Sequence, residues 1–230
     1  MLNPTVSRRL LFDECGFKRP IDTYDPEFTT TSIIVIIIET LFFILRLVSR
    51  LSGLSKWGWD DTSCVIAYTL LLGESAVSLL GGYYGFYIHS WDLDFERLVK
   101  FLKANFARAE IYPLALGACK MSIIFLYQRI FEGPRIQWVL RGTQVFNILL
   151  SLTFFITTFF VFQPLSCNWQ VDMDSSCVVN DAWDGSGASS AINAAFDIWL
   201  ILVPAFVVWR LQMKITRKLS VISVFATGFL

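Results

Sequence analysis

Histidine occurs once in this chain of 230 residues, at His89, and cysteine five times. No Cys/His cluster has the spacing of a zinc site, so a metal centre is not expected. Charge is scarce too. Asp, Glu, Lys and Arg make up 17% of the chain and the formal net charge is zero, so no overall field favours nucleic acid or a polyacidic partner. The chain lacks a Walker loop, a G-x-S-x-G elbow and an H-E-x-x-H motif; neither an enzyme nor a cofactor is expected. No Asn-x-Ser/Thr sequon marks a glycosylated side. Residues 1–28 are polar and carry Arg8, Arg9, Lys18 and Arg19 without the apolar core of a cleaved signal peptide. They are expected to form an N-terminal tail, leaving the first apolar run to direct insertion.

What the chain has is hydrocarbon. Hydrophobic residues account for 55% of it and aromatics for 16%, too apolar a composition for an ordinary soluble domain. A bilayer core of roughly 30 Å needs about 20 apolar helical residues. Runs of that kind fall at 29–51, 62–88, 106–131, 139–162 and 188–211, with a shorter one at 219–230. Backbone polar groups in lipid must be satisfied within the segment, so such runs are helices, and the alternation of a membrane barrel is absent. The expected fold is therefore an all-α membrane protein. It has a multi-span helical bundle of five complete spans and a partial sixth, occupying residues 29–230.

Orientation follows from basic residues in short loops. The loops after spans one, three and five hold Arg46, Arg50, Lys56, Arg129, Arg135, Arg141, Arg210, Lys214, Arg217 and Lys218. The other side holds Arg8, Arg9, Lys18, Arg19, Arg97, Lys100 and Lys103. That excess places the N-terminus outside. Cys167 and Cys177 then lie in a long outer loop, on the oxidising side, where their spacing permits a disulfide; Cys15 is an alternative partner. Cys64 and Cys119 fall within spans and are expected to be reduced packing residues.

Ionisable groups at mid-membrane cost about 2.5–3.5 kcal/mol each, so they face the bundle interior and find partners. Glu39, Glu74, Lys120 and Asp197 are such groups, with Glu110 nearer the outer end of its span. Three acids and one base suggest a polar core in which Lys120 is paired. Asn193 shares a helix face with Asp197, and Pro204 below them invites a local unwinding. Such a core either holds a ligand or an ion, or simply fixes helix packing. A retinal pigment would need a lysine in a late helix, whereas Lys120, the only deep one, is in the third span. Asp60 or Asp61, after the interfacial pair Trp57 and Trp59, is expected to cap the second helix, and Arg46 to snorkel to the inner interface. His89, Trp91 and Asp92 form an outer motif expected to order its loop.

Several of these landmarks together resemble one known group. Arg46 to Arg50 is followed by Trp57-Gly58-Trp59-Asp60-Asp61, then by Gly85-Phe86-Tyr87-Ile88-His89-Ser90-Trp91-Asp92-Leu93. Glu110-Ile111-Tyr112, Lys120-Met121-Ser122-Ile123 and Tyr127-Gln128-Arg129-Ile130-Phe131 come next, followed by Pro164, Cys167, Trp169, Cys177, Asp197 and Pro204. In this order they resemble the fungal rhodopsin-like-domain integral membrane proteins, including the Pth-type receptor-like proteins. The chain departs from that pattern at Tyr87, where a second glycine is usual, and at Ile88, where a basic residue is.

The resemblance implies a seven-helix architecture, of which this chain would stop inside the sixth helix. It implies a receptor-like role without retinal. The alternative is a proton- or cation-coupled transporter or channel-like protein using the buried carboxylates. The partners expected are the lipid bilayer, a small ligand or surface cue and a cytoplasmic signalling protein, with the plasma membrane as location.

Overall fold

Each long apolar run has nowhere in lipid to send its backbone N–H and C=O groups except along its own axis, and each folds as a helix. The computed structural model describes residues 26–52, 57–85, 95–169, 177–179 and 186–210. Its helices are α1 (Pro26–Leu51), α2 (Trp59–Tyr84), α3 (Phe95–Ile130), α4 (Pro134–Thr158) and α5 (Ser186–Arg210). All five are long and apolar enough to cross a membrane. Residues 1–25 of the tail expected at 1–28, the outer motif His89, Trp91 and Asp92, and the partial span at 219–230 lie outside the described residues, while residues 26–28 already belong to α1.

Apart from α3, the helices begin and end within about five residues of the expected spans. Helix α3 spans 36 residues and begins at Phe95, eleven positions before the apolar run at 106. Its first turns are amphipathic and carry the i,i+4 pair Lys100 Nζ–Glu96 Oε1 at 2.6 Å, which supports helix without adding hydropathy. At Gly85, φ is 127°, a left-handed conformation that suits glycine at the end of α2. Helix α5 continues unbroken through Pro204, so the unwinding expected there does not occur. Ser186 to Arg210 is one element.

The helices run up and down. Arg129, near the end of α3, reaches Asp60 at the start of α2, and Arg46 and Arg50 of α1 reach it too. At the opposite end, Phe106 of α3 meets Trp169 at 6.0 Å and Phe159 at 5.9 Å between ring centroids. The connection from α4 to α5 lies there. It holds strands β1 (Phe162–Gln163) and β2 (Val178–Val179), paired antiparallel, and a 3-10 turn at Leu165–Asn168. Cys167 and Cys177 are bonded, with Cα atoms 5.9 Å apart, as expected, and Cys64 and Cys119 are free thiols.

Packing is inverted relative to a soluble domain. Ile33, Ile34, Ile37, Leu41 and Leu45 of α1 are all exposed, as befits a helix facing lipid tails. The buried core is small and lies between α3, α4 and α5, around Ile124, Tyr127, Phe131, Leu140, Phe196, Leu200 and Val203. Helix α4 approaches α3 at Gly117. A Cβ there would collide with the Ser151 side chain, and Asn147 Nδ2 donates to Gly117 O at 2.8 Å. Small residues and interhelical amide bonds are the usual means of close approach where lipid supplies no hydrophobic drive. Helix α1 joins α2 through the stacked rings of Phe43 and Tyr68, 4.1 Å apart, and a 2.9 Å bond between Thr40 Oγ1 and Tyr68 Oη.

Candidate functional site

Lys120 is buried in α3 and points at α5. Its Nζ lies 3.0 Å from Asp197 Oδ1 and donates to Asn193 Oδ1 at 3.1 Å and to Asn193 O at 3.4 Å. Phe196, between them on α5, sets its ring centroid 5.1 Å from the same nitrogen. The i,i+4 spacing of Asn193 and Asp197 puts both acceptors on one face, so one ammonium satisfies both. Lys120 is thus paired, as its burial demands. The Asp197 side chain is 57% exposed, so this carboxylate reaches out of the described bundle while one oxygen holds the lysine. Beside it, a cleft of about 480 Å³ lies between α4 and α5, lined by Thr143, Phe146, Phe196 and Trp199. Trp199 Nε1 donates to Thr143 Oγ1 at 3.2 Å, which uses the polar groups of the cleft and leaves its wall apolar.

The remaining acids are not gathered with Lys120. Glu74 of α2 faces Arg108 of α3 at 3.9 Å, a long pair that the sequence reading did not anticipate. Glu39 Oε2 and both carboxylate oxygens of Glu110 are buried without a hydrogen-bond partner among the described residues. The candidate residues therefore fall into three groups: Lys120 with Asn193 and Asp197, Glu39 and Glu74 on the α1–α2 side, and Glu110 by itself.

Asp60 and Asp61 do much more than cap. Asp61 Oδ2 accepts from Gly58 N–H at 3.1 Å, closing the first turn of α2 from its third position, so the capping role holds for Asp61. Both side chains are also almost fully buried beneath three arginines. Arg46 donates from Nε to Asp61 at 3.2 Å and from Nη2 to Asp60 at 3.0 Å; Arg50 repeats the pattern at 2.8 Å and 2.8 Å. Arg129 Nη1 donates to Asp60 Oδ1 at 3.1 Å, and Ser122 Oγ donates to Asp60 O at 3.1 Å. Arg46, expected to reach the interface, keeps 29% of its side chain open there while its guanidinium is held by the acids. A cap explains the Asp61–Gly58 bond alone. Positions 46 and 50 are one turn apart and the α1–α2 connection is short, so this clustering had a sequence signal that a capping argument passes over.

Residues 45–230 match the family model of the fungal rhodopsin domain. An SAT4 family membrane protein of Emericella nidulans is 28% identical over 77% of this chain and 44% of its own length. The receptor GIN3 of Arthrobotrys oligospora is 23% identical over 84% of this chain and 49% of its own length. Fugralins biosynthesis cluster protein 2 of Gibberella zeae is 24% identical, over 87% and 52%. The chain spans about half the length of the curated relatives it matches. No solved structure matches it significantly.

Proposed function

The chain belongs to the fungal rhodopsin domain family, and we propose that it is the membrane-embedded portion of a seven-helix, receptor-like protein without catalysis of its own. Its N-terminus faces outward at the plasma membrane, and it responds to a small ligand through the Lys120–Asn193–Asp197 core. The observation that carries this reading is the geometry of that core. A buried ammonium bridges two helices through a carboxylate that is itself more than half exposed, beside an apolar cleft. A ligand polar group that competes for Asp197 or Lys120 would change how α3 and α5 are held together. That one relative is a receptor, the receptor GIN3, supports the class.

The test is a thermal-shift screen of the purified protein in detergent against small apolar and amphiphilic compounds. At least one compound is expected to raise the unfolding midpoint, and its effect to vanish in both Asp197→Asn and Lys120→Met. Stabilisation that survives both substitutions removes the core from recognition.

The unpartnered oxygens of Glu39 and Glu110 favour a second reading, in which carboxylates relay protons or cations. It predicts acidification of proteoliposome interiors under a pH gradient, abolished by Glu39→Gln or Glu110→Gln. Flux no greater than that of empty liposomes sinks it.

A further inference from the structure

We propose that the arginine–aspartate cluster joining α1, α2 and α3 is a binding site for the phosphate of an anionic phospholipid headgroup. The inference rests on how the guanidinium groups are used. Arg46 and Arg50 both grip the two carboxylates side-on, through Nε and Nη2. Their Nη1 groups make no hydrogen bond among the described residues. An arginine fork presents five donors, and two oxygens of a phosphate fit a free pair of them. The side chains of Arg46 and Arg50 keep 29% and 14% of their surface open, and Arg129 keeps 34%, whereas the two carboxylates beneath them are almost sealed at 2% and 3%. The acids are therefore inside, and the side chains of Arg46 and Arg50, which carry the unused donors, keep open surface above them.

Charge and depth point the same way. At this end of the bundle the described residues hold Arg46, Arg50, Arg129, Arg135 and Arg141 against Asp60, Asp61 and Glu132, an excess of positive charge. Trp57, Trp59 and Trp138 at the same end are 54%, 76% and 73% exposed. Exposed tryptophans on membrane helices settle at headgroup level. A positive cluster with open donors at that level meets lipid phosphates before it meets anything dissolved. The two acids keep Arg46 and Arg50 fixed, so the site is organised before the lipid arrives.

The test counts lipid adducts on the purified chain by native mass spectrometry. Phosphatidic acid, phosphatidylcholine and inorganic phosphate are each added at equal concentration. Phosphatidic acid is expected to bind and the other two to bind at least about fivefold more weakly, since one basic residue near the surface contributes about that factor. Arg129→Gln, which leaves Asp60 and Asp61 neutralised by α1, is expected to weaken phosphatidic acid by about fivefold. Lys100→Gln at the opposite end leaves binding unchanged. Equal retention of phosphatidic acid and phosphatidylcholine, or equal retention by wild type and Arg129→Gln, overturns the proposal. Inorganic phosphate binding as tightly as phosphatidic acid overturns its lipid source.

A measurement on the unaltered protein covers the case in which Arg129→Gln does not fold. Brominated phosphatidic acid should quench tryptophan fluorescence more than brominated phosphatidylcholine at the same mole fraction. Most of that excess should disappear in Trp57→Phe/Trp59→Phe. Equal quenching by the two lipids overturns the site.

Discussion

Asp60→Ala is expected to lower stability by about 3–5 kcal/mol, the usual cost of removing one partner from a buried ion cluster. Asp60 is 2% exposed and accepts from Arg46, Arg50 and Arg129 at 3.0, 2.8 and 3.1 Å. Without it the three guanidinium groups converge on Asp61 alone, and the ties of α1 and α3 to the start of α2 weaken together. The unfolding midpoint in detergent, read by tryptophan fluorescence, should fall far more than for Ile37→Ala, a substitution at a 60% exposed position of α1. Asp60→Asn keeps the shape and removes the charge, and should fall in between. Asp60→Asn combined with Arg129→Gln should recover part of the loss, because the second change removes one unmatched cation. A midpoint for Asp60→Ala within a degree of wild type would mean that the arginines are solvated instead of held.

The two bundle ends differ in how far they could be read beforehand. Helix existence was legible because hydrocarbon thickness fixes the number of apolar residues a span needs, and α1, α2, α4 and α5 each show that run plainly. The start of α3 was not. Phe95 to Asn105 interleaves charged and apolar residues at helical spacing, and hydropathy averages such a segment to nothing while the helix continues through it. The disulfide was legible as one of three pairings among Cys15, Cys167 and Cys177, of which only Cys167 and Cys177 share a loop.

Partner choice was legible only in part. That Lys120 must be paired follows from burial of one base among several acids, yet Glu39, Glu74 and Asp197 were equal candidates on charge. Depth and helix neighbours decide between them, and α5 lies against α3 through Phe196, Leu200 and Val203. The same dependence on neighbours hid Arg108 as the partner of Glu74. The arginine–aspartate cluster is a different omission. A capping role for Asp61 is correct and local, and a local explanation that suffices hides a non-local one. Two adjacent acids beside basic residues one turn apart on the preceding helix were the available sign.

Asp197→Ala should cost about 2.5–3.5 kcal/mol, because it strands the Lys120 ammonium within the membrane. Asn193 remains as an acceptor at 3.1 Å, but a neutral amide does not balance a charge. Lys120→Met should cost less. Asp197 keeps more than half its side chain open and is freer to take a new partner. Replacing both, as Lys120→Met/Asp197→Leu, should restore most of the stability, since apolar groups of similar size often match a buried pair or exceed it. The double-mutant cycle is expected to give a coupling of at least about 1 kcal/mol between residues 120 and 197. Additive losses would mean that the 3.0 Å contact contributes nothing to the fold. The double variant also separates structure from recognition. If it folds as well as wild type but loses the response to a stabilising compound, the pair is retained for what it binds and not for helix packing. If it folds and still responds, the ligand is read elsewhere in the bundle, and the apolar cleft between α4 and α5 becomes the next place to substitute, beginning with Phe146 and Trp199 on its walls.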